Sequence, residues 1–365
     1  MLDTCNVMVT VGEDLKSISL RLDRMFPGYK MKVSNDDRDA TLKLKKHWIN
    51  NIRLKSTGFD DKSTTMFIDF SYPKYFYENN ISLITTEQQR MEVNRELLRV
   101  VQNVSNDKTL KMHRFKYIRV DVAHQFEDVF EDYYLMFGLI YETLVESLGA
   151  ENKKSRKYTQ INGQEIAPRD YTTGFTYSKG EYRLNIYNKT AQSCKKGYIP
   201  GKISIIRVEQ AFTHKVLKSL KTLSLEDFTM KLLKEAYSKF LEEKLWDNLN
   251  FILENKYNEL TKRIENILTT SSKDIRMEIK DMQHLIIDFE VVKNIISTLD
   301  IDVSERMKYK YKSWIKKSLE NTEFYSGVNV RFFNNFKRLE TLLFNITTIK
   351  TKINFIQGIP KIENI

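Results

Sequence analysis

Six stretches of the chain alternate apolar with polar residues, or crowd β-branched and aromatic residues together. They are Trp48–Leu54, Thr65–Ser71 (TMFIDFS), Phe115–Ala123 (FKYIRVDVA), Thr173–Ser178, Tyr182–Lys189 and Ile203–Gln210. Each reads as a strand, because side chains point to opposite faces with a period of two. Other stretches keep the helical period instead. Glu13–Met25 is one, stopped by Phe26-Pro27-Gly28. Thr85–Val101 is a second, with Met91, Val93, Leu97, Leu98 and Val101 along one stripe behind a Thr-Thr-Glu-Gln start. Tyr133–Leu148 is a third and strongly apolar helix.

The breakers divide the chain unevenly. Pro27, Pro73, Pro168 and Pro200 precede residue 201, only Pro360 follows it, and no Gly or Pro lies between Gly201 and Gly327. So long a stretch without breakers predicts helices. Ser224 is an expected N-cap with Asp227 three residues on, followed by Phe228, Leu232, Leu233, Tyr237, Phe240, Leu241 and Leu245 at helical spacing. Further helices are expected over Asp274–Leu299, Ser304–Ser318 and Phe332–Asn345. The element order predicts an α+β protein: an antiparallel sheet with helices on one face, then a mainly helical C-terminal region. The expected divisions are an N-terminal arm or helix (1–40), a mixed domain (41–220) and a helical region (221–365).

Composition sharpens this reading. With 41% hydrophobic and 12% aromatic residues over 365 positions, the chain has the means to bury a core, which excludes a disordered protein. The formal charge of +11 and a pI near 9.2 favour a polyanionic partner, nucleic acid before an anionic membrane. No apolar run approaches the roughly 18–20 residues of a membrane span. The N-terminus lacks the basic and apolar regions of a signal peptide. Two cysteines and five scattered histidines offer neither a disulfide framework nor a zinc pattern. A soluble, reduced, cytoplasmic protein without membrane contact is the expectation.

Three strands carry the candidate chemistry. Alternation puts Arg119, Asp121 and Ala123 on one face of the first. On the second, Asn185, Tyr187 and Lys189 share a face, with Arg183 further back; on the third, Arg207 and Glu209 do. Should these strands be neighbours, one sheet surface holds Asp121, Tyr187, Lys189, Arg207 and Glu209, a set able to bind a hard divalent ion and a phosphate. Taken singly, an Arg-x-Asp or Arg-x-Glu pair on a sheet is ordinarily an ion pair, and a strand tyrosine ordinarily packs. The combination is what points to chemistry.

The run YRLNIYNK, preceded by YIRVDVA and followed by IIRVEQ, resembles the Rep_trans-type replication initiators of rolling-circle plasmids and the related relaxases of conjugative elements. That resemblance covers roughly residues 48–215. It implies a variant of the HUH-endonuclease fold and a DNA strand-nicking and closing enzyme acting at a plasmid origin. Tyr187 would be the nucleophile, with Tyr182 near enough in sequence to compete. Asp121 and Glu209 would hold Mg²⁺ or Mn²⁺, and Lys189 and Arg207 would steady the phosphate. Gln125 stands where relatives often carry a second acid. The implied partners are duplex and single-stranded origin DNA, a host helicase and polymerase, and a second copy of the chain. A non-enzymatic, sequence-specific DNA-binding initiator or regulator is the alternative.

Ser304–Ser318 interleaves Arg306, Lys308, Lys310, Lys312, Lys316 and Lys317 with Tyr309, Tyr311 and Trp314. On a helix Tyr311, Trp314 and Ile315 fall on one side, while Lys308, Lys312 and Lys316 repeat every four residues beside them. The expected role is phosphate contact along a duplex, with Arg306 or Trp314 nearer the base edges. Lys153–Lys157 (KKSRK) is a second basic patch.

Overall fold

The computed structural model describes residues 1–57, 62–149, 160–161, 164–165, 174–194, 204–221, 223–269, 277 and 289–320. The chain forms two compact units, Met1–Asp128 with Glu151–Lys239, and Val129–Ala150 with Phe240–Ile365.

The first unit contains β1 (Leu2–Val11), α1 (Leu15–Met25), β2 (Met31–Val33), β3 (Asp39–Lys43), β4 (Ile49–Thr57), β5 (Ser63–Ser71), α2 (Tyr72–Tyr77), α3 (Glu87–Ser105) and β6 (Lys116–Asp128). It continues after α4 of the second unit (Tyr134–Leu148) with a short hairpin, β7 (Gln160–Ile161) and β8 (Gln164–Glu165). Then come β9 (Gly174–Lys179), β10 (Tyr182–Asn188), α5 (Lys189–Cys194), β11 (Ser204–Thr213), α6 (His214–Ser219) and α7 (Met230–Phe240). Nine strands form one antiparallel sheet in the order β2-β3-β4-β5-β1-β6-β11-β10-β9. The α+β class with a large antiparallel sheet therefore holds, and all six strands expected from sequence are in it.

One face of the sheet is apolar. Val7, Val9, Ile52, Leu54, Ile68, Val120, Val122, Leu184, Ile186, Ile206 and Val208 are buried along it. The helices that form around this core start where the sequence provides caps. Asp14 accepts a 2.9 Å bond from the Ser17 amide at the head of α1, and the N–H of Phe26 closes the helix on the Leu22 carbonyl. Thr86 and Gln89 form a capping box at the head of α3. A polar clasp inside the core joins α2, α3 and β6: the Tyr72 hydroxyl lies 2.7 Å from Asn94 Oδ1 and 2.8 Å from the Tyr117 hydroxyl.

Several expectations need correction. Residues 1–40, read as an arm or helix, supply β1, which lies in the sheet between β5 and β6, together with α1 and β2. The strand evades a period-two reading because its pairing with β6 shifts register between Leu2 and Cys5, so two core residues stand three apart. Ser224 and Asp227 bond to each other as a helix start would, yet they close a turn, and α7 begins only at Met230. Leu232, placed on the apolar stripe, is 39% exposed. Helix α4, read as part of 41–220, belongs to the C-terminal unit instead.

The second unit holds α4, a π turn over Leu241–Trp246, α8 (Asp247–Thr269), α9 (Phe289–Thr298) and α10 (Glu305–Glu320). Leu260, Ile264, Val292, Ile295, Tyr311 and Ile315 belong to its core. The helix expected over Asp274–Leu299 is described mainly in α9; Phe332–Asn345 and Lys153–Lys157 lie outside the described residues. Among the described residues no helix is long and apolar enough to cross a membrane.

Gly174 sits opposite Tyr187 in the β9–β10 register with φ +126°. A Cβ here would lie 2.5 Å from Tyr187 Cα and closer still to the Ile186 carbonyl oxygen. Gly174→Ala should therefore lower unfolding stability by more than about 1 kcal/mol, read as a drop in the urea midpoint. An unchanged midpoint would mean that β9 is not seated against the strand that carries the tyrosine.

Candidate active site

The other face of the sheet is polar where β6, β11 and β10 meet. Their register stacks three rows across the strands: Gln125–Arg207–Tyr187, Ala123–Glu209–Asn185 and Asp121–Ala211–Arg183. Directly paired residues of an antiparallel sheet project to the same side. Asp121, Tyr187, Arg207 and Glu209 thus share a surface, as alternation predicted, and small Ala123 and Ala211 leave room between the larger groups.

Tyr187 and Glu209 are the central pair. The Tyr187 hydroxyl donates to Glu209 Oε2 at 3.1 Å, and Asn185 Nδ2 donates to Glu209 Oε1 at 3.0 Å. Burial first, and then the neighbouring Glu209 charge, push the Tyr187 phenol well above its ordinary range. A free phenolate is therefore disfavoured here, and the carboxylate is aligned to accept the proton. Asn185 Oδ1, by contrast, is buried without a hydrogen-bond partner.

Lys189 is not a strand residue but the first of α5. It nevertheless returns to the site, with Nζ 5.9 Å from the Tyr187 ring centroid. Nζ donates to Asn80 Oδ1 at 3.0 Å and to Gln192 Oε1 at 2.9 Å. Tyr182 is separated from the group: it pairs with Phe212 and projects to the apolar side of the sheet. The face of β10 thereby singles out Tyr187 of the two tyrosines.

Arg207 is fully buried and heavily engaged. Nη1 pairs with Asp3 Oδ2 at 2.9 Å, Nη2 donates to the carbonyls of Asn80 and Ile81 at 2.8 and 2.7 Å, and Nε and Nη2 both reach Gln125 Oε1. Its contacts are those of a structural clamp. Asp3, Asn80 and Gln192 were not legible as site residues. Nothing local in the sequence marks any of the three.

Asp121 is held by Arg119, whose Nε and Nη2 each donate to a carboxylate oxygen at 2.7 Å. Burial is the largest influence on Asp121 and raises its pKa; Arg119 opposes the rise and Glu209 adds to it, leaving the group at about 7. Among the described residues no group of three or more His, Cys, Asp or Glu side chains is arranged to hold a metal ion. The oxygen donors that suit a hard cation are Glu209 and the unpartnered Asn185 Oδ1; Asp121 would have to exchange the Arg119 fork for it.

The basic helix α10 has two sides. Tyr311 and Ile315 are buried in the second unit's core, and Trp314 packs against that core with Lys310 Nζ 4.6 Å above its ring. Lys308 Nζ pairs with Glu305 at 3.2 Å, and Lys312 Nζ donates to Ser297 Oγ at 2.9 Å. Arg306, Tyr309, Lys310, Lys316 and Lys317 are exposed. The exposed cations are therefore Arg306, Lys310, Lys316 and Lys317, so that of the Lys308–Lys312–Lys316 row expected from spacing only Lys316 stands exposed.

No protein-family profile matches the sequence, and no curated protein matches it. Among solved structures, the fold is similar to the rolling circle replication initiator protein from Geobacillus stearothermophilus. That comparison has a TM-score of 0.31 and 14% identity, covering 60% of this chain and 76% of that one. A likeness so slight carries no argument, and function has to be read from the residues.

The Asp121 environment makes a pH-dependent prediction. Its folded pKa lies above its unfolded value near about 4, so between about pH 4 and 7 the folded protein binds the extra proton. Asp121 should thus add stability as pH falls from about 8 to 5, where the buried carboxylate is neutralised. Comparing urea midpoints of wild type and Asp121→Asn across that range isolates the contribution. The difference between the two should shrink at the acid end; a constant difference would place Asp121 at an ordinary carboxylate pKa.

Proposed function

We propose that the protein is a replication initiator that nicks one strand of origin DNA through Tyr187. The observation that carries this reading is the Tyr187–Glu209 hydrogen bond on a polar sheet face that also holds Asp121 and Asn185, with Lys189 Nζ beside the tyrosine ring. Glu209 takes the phenol proton as Tyr187 Oη forms a bond to the scissile phosphorus. The bond from phosphorus to the 3′ oxygen breaks, and the proton passes from Glu209 to that oxygen. The products are a 5′-phosphotyrosyl linkage and a free 3′ hydroxyl on which a polymerase can start. Lys189 supplies positive charge beside the ring, and Asn185 holds Glu209 in orientation. A divalent ion such as Mg²⁺ or Mn²⁺, when bound, would polarise the phosphate, with Glu209 and Asn185 as its best-suited donors and Asp121 as a third. Arg207 contributes by fixing the sheet beneath the tyrosine.

In this reading the partners are origin DNA in duplex and single-stranded form, a second copy of the chain, and a host helicase and polymerase. One observation favours the alternative of a DNA-binding protein without cleavage: both Asp121 oxygens are committed to Arg119.

The test is a covalent adduct. Incubated with a supercoiled origin plasmid and Mg²⁺ or Mn²⁺, wild type should form a protein–DNA linkage that survives denaturation. Tyr187→Phe should form none, Tyr182→Phe should retain it, and Glu209→Gln should slow its formation by about 10²–10⁴. Adduct from Tyr187→Phe would overturn the assignment, and its absence from wild type would favour the non-enzymatic reading. For the second unit, replacing Arg306, Lys310 and Lys317 together with Ala should lower the slope of log K against log salt for duplex binding by about 0.9 per phosphate no longer neutralised.

A further inference from the structure

The polar face of the sheet continues beyond the tyrosine site, and its far half is strongly cationic. Register carries one row through Lys32, Thr41, Arg53, Phe67, Met8 and Lys116, on β2, β3, β4, β5, β1 and β6 in spatial order. Lys43, two residues along β3 from Thr41, and Lys55, two along β4 from Arg53, flank the row on the same face. Lys32, Lys43, Arg53, Lys55 and Lys116 are all exposed, while Phe67 and Met8 are half-buried beneath them. The acids on this stretch are Asp39, opposite Lys55, and Asp69, and both are only partly exposed. Positive charge dominates the outer layer.

At the centre the Arg53 guanidinium lies over the Phe67 ring, 4.4 Å from its centroid. This forms a flat cationic layer raised on an aromatic base. A solvated sheet face ordinarily mixes charges of both signs. Here the cations surround a planar stacking surface, which is the arrangement a single nucleic-acid strand needs: phosphates take the lysines, and an unstacked base lies on the guanidinium plane. A duplex hides its base faces and has no use for that platform. Five interstrand gaps of roughly 4.8 Å make the row about 24 Å long, matching the short end of single-strand site sizes, about four nucleotides. At its β6 end the row meets Lys116, three residues from Arg119, which holds Asp121. The platform and the Tyr187 site are parts of one continuous sheet face.

We propose that the outer face of β2–β6 is a binding track for one strand of melted DNA, with a base stacked on Arg53–Phe67 and the backbone led along Lys43, Lys55 and Lys116 towards the tyrosine. This rests on the reading that DNA is the substrate, but not on cleavage.

The probes are a fluorescein-labelled dT12 strand and a labelled 12-base-pair duplex, titrated by anisotropy against the full chain at several salt concentrations. Replacing Lys43, Arg53 and Lys55 together with Ala should weaken dT12 binding at least about tenfold and reduce its salt slope by about 0.7 for each phosphate no longer neutralised. The duplex should be affected much less. Arg53→Lys, an exposed change that keeps the charge and the fold, should preserve the salt slope yet weaken dT12 binding through loss of stacking. Unaltered dT12 affinity in both variants would overturn the proposal, as would an equal loss for the duplex. A change in sedimentation mass with unchanged DNA affinity would make the face a contact between copies of the chain instead. Should wild type bind dT12 through this face and form no adduct, the nicking reading fails while the track stands.

Discussion

The Arg207–Asp3 ion pair is the constraint on which the sheet depends. It joins β11 to β1, strands that do not pair directly but flank β6 on either side. Both side chains are buried, and the same guanidinium holds the Asn80 and Ile81 carbonyls and Gln125. A buried pair of this kind adds little net stability over an apolar substitute, yet removing one partner strands a charge and costs about 3–5 kcal/mol. Its effect is specificity. The register shift in β1 between Leu2 and Cys5 accompanies a turn of Asp3 towards the polar side, so the ion pair accompanies one particular pairing of β1 with β6.

The tyrosine site inherits that order. Arg207 stands beside Tyr187 in the same cross-strand row, and its bonds to the 80–81 segment also bring Asn80 to Lys189. Lys189 therefore stays near the ring although the strand has ended. Two opposed influences then act on the phenol: burial and Glu209 hold its proton in place, while Glu209 is also the group placed to remove it. The phenol is thereby held in its neutral form in the folded protein. Asp121 is poised differently, near neutral pH, because Arg119 offsets part of its burial.

Local pattern placed six strands of the sheet and α1, α3 and α4 within a few residues: the strands, α1 and α3 each carry an apolar face, and α4 is apolar over most of its length. Within their own strands it put Asn185 with Tyr187 and Arg207 with Glu209 on one face; the register of β6, β11 and β10 then set these faces and that of Asp121 on the same side of the sheet. Spacing put Tyr311, Trp314 and Ile315 on one side of α10, but only the structure shows that this side, with the Trp314 expected near base edges, packs into the second unit's core.

What the sequence by itself determined is therefore which residues share a face. Which strands adjoin, and which groups satisfy one another, only the tertiary structure decided. The register shift in β1 hid a central strand and the acid it presents, because a bulge breaks the very period on which the reading relies. The role of Arg207 was equally hidden. An Arg-x-Glu strand looks the same whether the guanidinium meets a phosphate or a buried Asp3 more than two hundred residues away. Lysine spacing on α10 likewise could not reveal that Lys308 and Lys312 are already engaged by Glu305 and Ser297. Alternation is a local property of the chain, whereas partnership between charges depends on long-range contacts that no local pattern encodes.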